Sequence, residues 1–85
     1  MNNKIENLRK KIIYRSQYRS TKEMDKLIGS FVKRYIDLLK SDELEDLEKF
    51  LNIDDDILYG FYNNKITEKK ISFNKIAKLF KNFKY

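Results

Sequence analysis

The 85-residue chain has no cysteine, no histidine, no proline and only two glycines. Without cysteine there is no disulfide and no thiolate metal site; without histidine there is no imidazole ligand and none of the usual general base, which disfavours catalysis. The lack of proline and the scarcity of glycine argue against a many-turned β fold, and strict apolar–polar alternation is nowhere sustained. No stretch approaches the roughly 18 consecutive apolar residues of a membrane span, so no membrane insertion is expected. The opening residues Met1 to Glu6 lack an apolar secretory core and leave little room for an Arg- and Ser-rich transit peptide.

What the chain does have is large apolar side chains at helical spacing. Six Phe and six Tyr, with Ile and Leu throughout, suit helix-on-helix packing. The length predicts one all-α domain over 1–85, burying about 60–65% of the unfolded surface around a continuous core. Five helices are expected. The first covers about 4–16 with Ile5, Leu8, Ile12 and Ile13 inward. The second covers 22–39, with Met24, Leu27, Ile28, Phe31, Tyr35, Ile36 and Leu39 on one face. A third starts at an Asp42 N-cap and buries Leu44, Leu47, Phe50 and Leu51. A fourth, capped by Asp54 or Asp55, buries Ile57, Leu58 and Phe61. The fifth follows Ser72 over about 73–83 with Phe73, Ile76, Ala77, Phe80 and Phe83 on one face.

The segment Tyr18-Arg19-Ser20-Thr21-Lys22-Glu23-Met24-Asp25 sets a guanidinium and carboxylates on either side of a helix start. Ser20 and Glu23 match a Ser-x-x-Glu capping box, in which the hydroxyl accepts from the N3 amide and the carboxylate reaches back to the N-cap amide. That placement leaves Arg19 just outside the helix and free to point at a partner. Its alternative reading is a solvated Arg beside an ordinary cap.

These residues resemble the succinate dehydrogenase assembly factor 2 family, whose hallmark is Arg-Gly-x-x-Glu at a helix start. Arg19, Ser20 and Glu23 stand on that pattern, followed by Met24-Asp25 and Leu27-Ile28-Gly29-Ser30-Phe31. The likeness continues through Tyr35, the acidic helix with Leu44, Leu47, Phe50 and Leu51, and Asp54-Asp55-Asp56-Ile57-Leu58-Tyr59-Gly60-Phe61, covering about 12–65. Ser20 replaces the family Gly, which an N-cap tolerates but a positive φ would not. Phe61 stands where the family usually has Trp, filling a core without an indole donor.

The resemblance implies a non-enzymatic assembly factor, a chaperone that binds the flavoprotein subunit of succinate dehydrogenase and promotes its covalent flavinylation, with fumarate reductase a further candidate client. It implies that FAD is bound by the partner, with no stable cofactor, metal or catalytic residue on this chain. The expected partner-binding residues are Arg19, Ser20 and Glu23, flanked by Arg15, Tyr18 and Lys22. With the opening residues read as above, a bacterial cytoplasmic location and a monomeric free state follow as expectations.

The charge layout bears on the rival reading. Residues 1–40 carry a net +7, 41–64 a net −7 and 65–85 a net +6. A pI near 9.5 and basic ends suit a nucleic-acid-binding module relying on Lys75, Lys78 and Lys81. An acidic third helix would repel phosphate and suits a protein partner of mixed potential instead, so no nucleic acid is expected. Phe80, Phe83 and Tyr85 among Lys78, Lys81 and Lys84 admit a stacking-and-phosphate reading, but at helical spacing the Phe residues read as core. A generic helical interaction domain is the third reading. The Asp54–Asp56 run lacks the ligand spacing and Gly turn of a calcium loop and reads as helix capping; Glu43, Glu45, Asp46 and Glu48 read as a solvated face.

Overall fold

The computed structural model describes residues 3–65, 71 and 74–85. Five helices follow in order: α1 (Asn3–Arg15), α2 (Lys22–Tyr35), α3 (Ser41–Leu51), α4 (Asp55–Tyr62) and α5 (Lys75–Lys81), with no strand among the described residues. α3 packs against both α1 and α5, α2 lies on α1, and α4 meets α5. The apolar stripes of all five helices close on one contiguous cluster. The all-α architecture is therefore the one the periodicity predicts.

Phe31 is its centre. Its ring lies 5.1 Å from Phe80, 5.5 Å from Phe83 and 5.2 Å from Tyr35, each edge-on, and Phe80 in turn meets Phe50 at 5.1 Å. Edge-to-face rings at these separations add to the area they bury. Phe80 and Phe83 belong to this core, leaving Tyr85 as the exposed ring of that segment, stacked on Phe83 with Lys26 6.0 Å from its centroid. Phe61, at the family Trp position, is fully buried with Lys81 Nζ 4.9 Å from its ring centroid.

Several boundaries differ from the sequence expectation. α2 ends at Tyr35, yet Ile36 and Leu39 stay buried because Ile36 N–H still bonds Val32 C=O and Leu38 N–H bonds Tyr35 C=O, wrapping the turn onto the core. Ile13 is exposed, since the inward stripe of α1 runs Ile5, Leu8, Ile12 and the next residue falls about 100° round the helix. α3 is capped at Lys40 instead of Asp42: the Glu43 carboxylate accepts from the Lys40 amide at 2.9 Å, the backward half of a capping box. α5 starts after Asn74, whose side chain accepts from Ala77 N–H at 3.0 Å. The expected start at Ser72 and Phe73 lies outside the described residues.

The acidic helix is not a plain solvated face. Glu43 pairs with Lys75 of α5 at 2.8 Å and Glu48 with Lys11 of α1 at 2.7 Å, so α3 is joined by charge to both basic neighbours. The Lys40 amide, with Lys75 beside it, holds the Glu43 carboxyl below its ordinary range. Lys75, one of the cations the nucleic-acid reading relies on, is thus already paired.

Candidate functional site

Thr21, not Ser20, caps α2. The Thr21 backbone is extended and its hydroxyl accepts from Met24 N–H at 3.1 Å, so the helix starts one residue later than a Ser20 cap requires. The sequence signal was ambiguous here because two hydroxyl residues stand side by side, and a cap accepts from the third residue on, which for Thr21 is Met24. Glu23 then falls at the second helical position and is not the reciprocal member of a box. Instead, its carboxylate accepts from the Tyr59 hydroxyl at 2.8 Å, which pushes the Tyr59 phenol above its usual value.

Arg19 is not free. Its side chain is 11% exposed, with Nε donating to Asp55 Oδ1 at 2.8 Å and Nη2 2.5 Å from the same oxygen. Nη1 donates to two main-chain carbonyls, Arg15 and Leu51, each at 3.0 Å. The Arg19 amide donates to the Asp25 carboxylate. The other Asp55 oxygen accepts from the Ser20 amide at 2.7 Å. Burial raises the Asp55 carboxyl, but hydrogen bonds from Ser20 and Arg19 outweigh it and hold the group below its ordinary value.

The connection that makes this geometry is strained at one residue. Tyr18 has φ 58°, in the left-handed region that a non-glycine residue rarely occupies. Ser20 is not among the positive-φ residues, so its backbone does not demand the family glycine. Tyr18 is 83% exposed, and Tyr14, four residues earlier in the last turn of α1, is exposed as well. Lys22 is exposed at the first position of α2, and Arg15, half-buried, donates through Nη1 to Asn52.

The six expected partner-binding residues therefore lie on one continuous segment, but in two different states. Tyr18, Ser20, Lys22 and Glu23 are at the surface; Arg15 and Arg19 are turned onto the α3–α4 junction. Asp25, Asn52, Asp55 and Tyr59 complete the cluster and were not singled out from sequence as site residues. From sequence Asp55 reads as helix capping, since nothing local announces a carboxylate whose partners lie 35 and 36 residues away.

Two shallow concavities flank the Ser20–Asp55 contact. One runs between Arg15, Arg19, Leu51 and Asn52; the other is bounded by Thr21, Glu23, Met24 and Tyr59, with Ser20, Asp55 and Asp56 common to both. Both glycines of the chain, Gly29 and Gly60, sit inside helices and line neither concavity. Among the described residues no group of His, Cys, Asp or Glu could hold a metal ion, and no helix is long and apolar enough to cross a membrane.

A family model described as flavinator of succinate dehydrogenase matches residues 10–84. No curated protein and no solved structure matches the chain. The match takes in α2 to α5 whole, the last turns of α1 and the entire Arg15–Glu23 segment, and on that basis the chain belongs to the family of flavinators of succinate dehydrogenase.

Proposed function

We propose that this protein binds the flavoprotein subunit of succinate dehydrogenase through the surface around Tyr18, Ser20, Lys22 and Glu23 and promotes covalent attachment of FAD to that subunit. The observation that carries the reading is the family match over 10–84, which contains the entire segment. Fumarate reductase, whose flavoprotein would present the same chemistry, is a second client on this reading.

The protein acts without catalysing the step itself. It has no histidine to accept a flavin and no cysteine to attack one. FAD is held by the partner, and the flavin chemistry with its acceptor histidine belongs to the partner too. What this chain supplies is orientation: by binding one domain arrangement of the flavoprotein more tightly than others, it raises the population in which the acceptor is aligned. Held geometry alone can remove a large part of a barrier. The contact is transient, the free protein is a monomer, and the site of action is the bacterial cytoplasm, where the flavoprotein is made.

Capture of the flavoprotein subunit on immobilised protein, washed at moderate salt, tests this. The wild-type chain retains the subunit and Arg19→Ala does not. Retention of duplex or single-stranded DNA in place of the flavoprotein, lost on neutralising Lys78 and Lys81, would contradict it.

A further inference from the structure

We infer that Arg19 is a positioning residue and that Asp55 is the residue through which it acts: the pair shapes the client surface, and the client does not touch the Arg19 guanidinium. This rests on the function proposed above. Every nitrogen of that guanidinium is already engaged, Nε and Nη2 with Asp55 and Nη1 with the Arg15 and Leu51 carbonyls. To reach a client, Arg19 would have to abandon two carbonyls and leave Asp55, itself only 14% exposed, without its cation. A carboxylate stripped of its partner in such surroundings is strongly disfavoured.

The same aspartate also fixes the backbone. One oxygen faces Arg19 and the other accepts the Ser20 amide, while the Arg19 amide is taken by Asp25 in the first turn of α2. Side chain and main chain of the motif are thus tied to the end of α1, the first turn of α2, the end of α3 and the start of α4. One turn along α4 from Asp55, Tyr59 makes a second tie by donating to Glu23. The two ties grip the loop and the start of α2 side by side. They leave Ser20, Lys22 and Glu23 outward, around the concavity that Met24 and Tyr59 line.

A double-mutant cycle on binding of the flavoprotein subunit separates positioning from contact. Arg19→Ala and Asp55→Asn should each weaken binding about tenfold or more, the double variant should bind no worse than the weaker single, and Asp55→Glu should stay within about threefold of wild type. In the free wild-type protein the Arg19 Nε–H resonance should be protected from solvent exchange, and in Asp55→Asn it should not. Multiplying losses, an Asp55→Asn variant that binds like wild type, or an unprotected Nε–H in the free protein would each overturn the inference. The exchange measurement needs no client: if Nε–H is protected yet wild type fails to bind the flavoprotein, the proposed function falls and the positioning role falls with it.

Discussion

Arg19 and Asp55, 36 residues apart, meet with Nε 2.8 Å from Oδ1, and this pair joins the loop before α2 to the first turn of α4. Asp55→Asn should therefore cost about 2–3 kcal/mol near neutral pH, by removing a charge-assisted pair that is mostly shielded from water. The pH dependence has a definite sign. Because the folded-state carboxyl lies below the ordinary value of 3.8, its contribution is present above that value and is lost as pH falls through the lowered one. Urea titrations of both proteins should show the largest difference from about pH 5 upward, shrinking toward acid. A difference that grows as pH falls would contradict the assignment.

Tyr18 carries a left-handed backbone with an exposed ring, so its strain is not repaid by packing within the chain. Tyr18→Gly should stabilise the free protein by about 0.5–1 kcal/mol, since glycine occupies this region without steric cost but loses more chain entropy. If the ring is a client anchor, the same variant should bind the flavoprotein less well. Stability from thermal unfolding and affinity from calorimetry should thus move in opposite directions.

Gly29 sits in the interior of α2, where the nearest outside atom to an added Cβ is the Ser16 carbonyl oxygen at 4.0 Å. Nothing there needs a glycine. Gly29→Ala should raise stability by about 0.5–1 kcal/mol, read as a higher unfolding midpoint at unchanged denaturant slope.

Phe31 touches Tyr35, Phe50, Phe80 and Phe83, and it is fully buried. Phe31→Ala should cost about 3–5 kcal/mol, enough to leave a domain of this size largely unfolded. Circular dichroism would register this as lost helicity at room temperature. Phe31→Leu, retaining most of the volume, should stay folded with a lower midpoint.

The fold was legible because its signal is local. In each helix the apolar residues recur every three or four positions, and Leu27, Phe31, Leu44, Leu47, Leu58, Ile76 and Phe80 all fall inside as that spacing requires. Helix ends were read less well, because adjacent polar residues compete for the cap and the choice depends on backbone geometry: Thr21 over Ser20, Lys40 over Asp42. The site was legible as a segment and not as a constellation. Arg19 and Glu23 belong to one motif, but their partners Asp55 and Tyr59 are brought there by the packing of the chain. The same holds for the charge blocks, where an acidic run that looks solvated pairs across helices with Lys11 and Lys75.

The most direct test is covalent flavin on the succinate dehydrogenase flavoprotein subunit, coexpressed with and without this protein and read as fluorescence after denaturing electrophoresis, which only covalently bound flavin survives. The account predicts a signal that rises with the wild-type chain and falls with Arg19→Ala, Glu23→Ala and Asp55→Asn. Flavin attachment that is the same with and without the protein would contradict it.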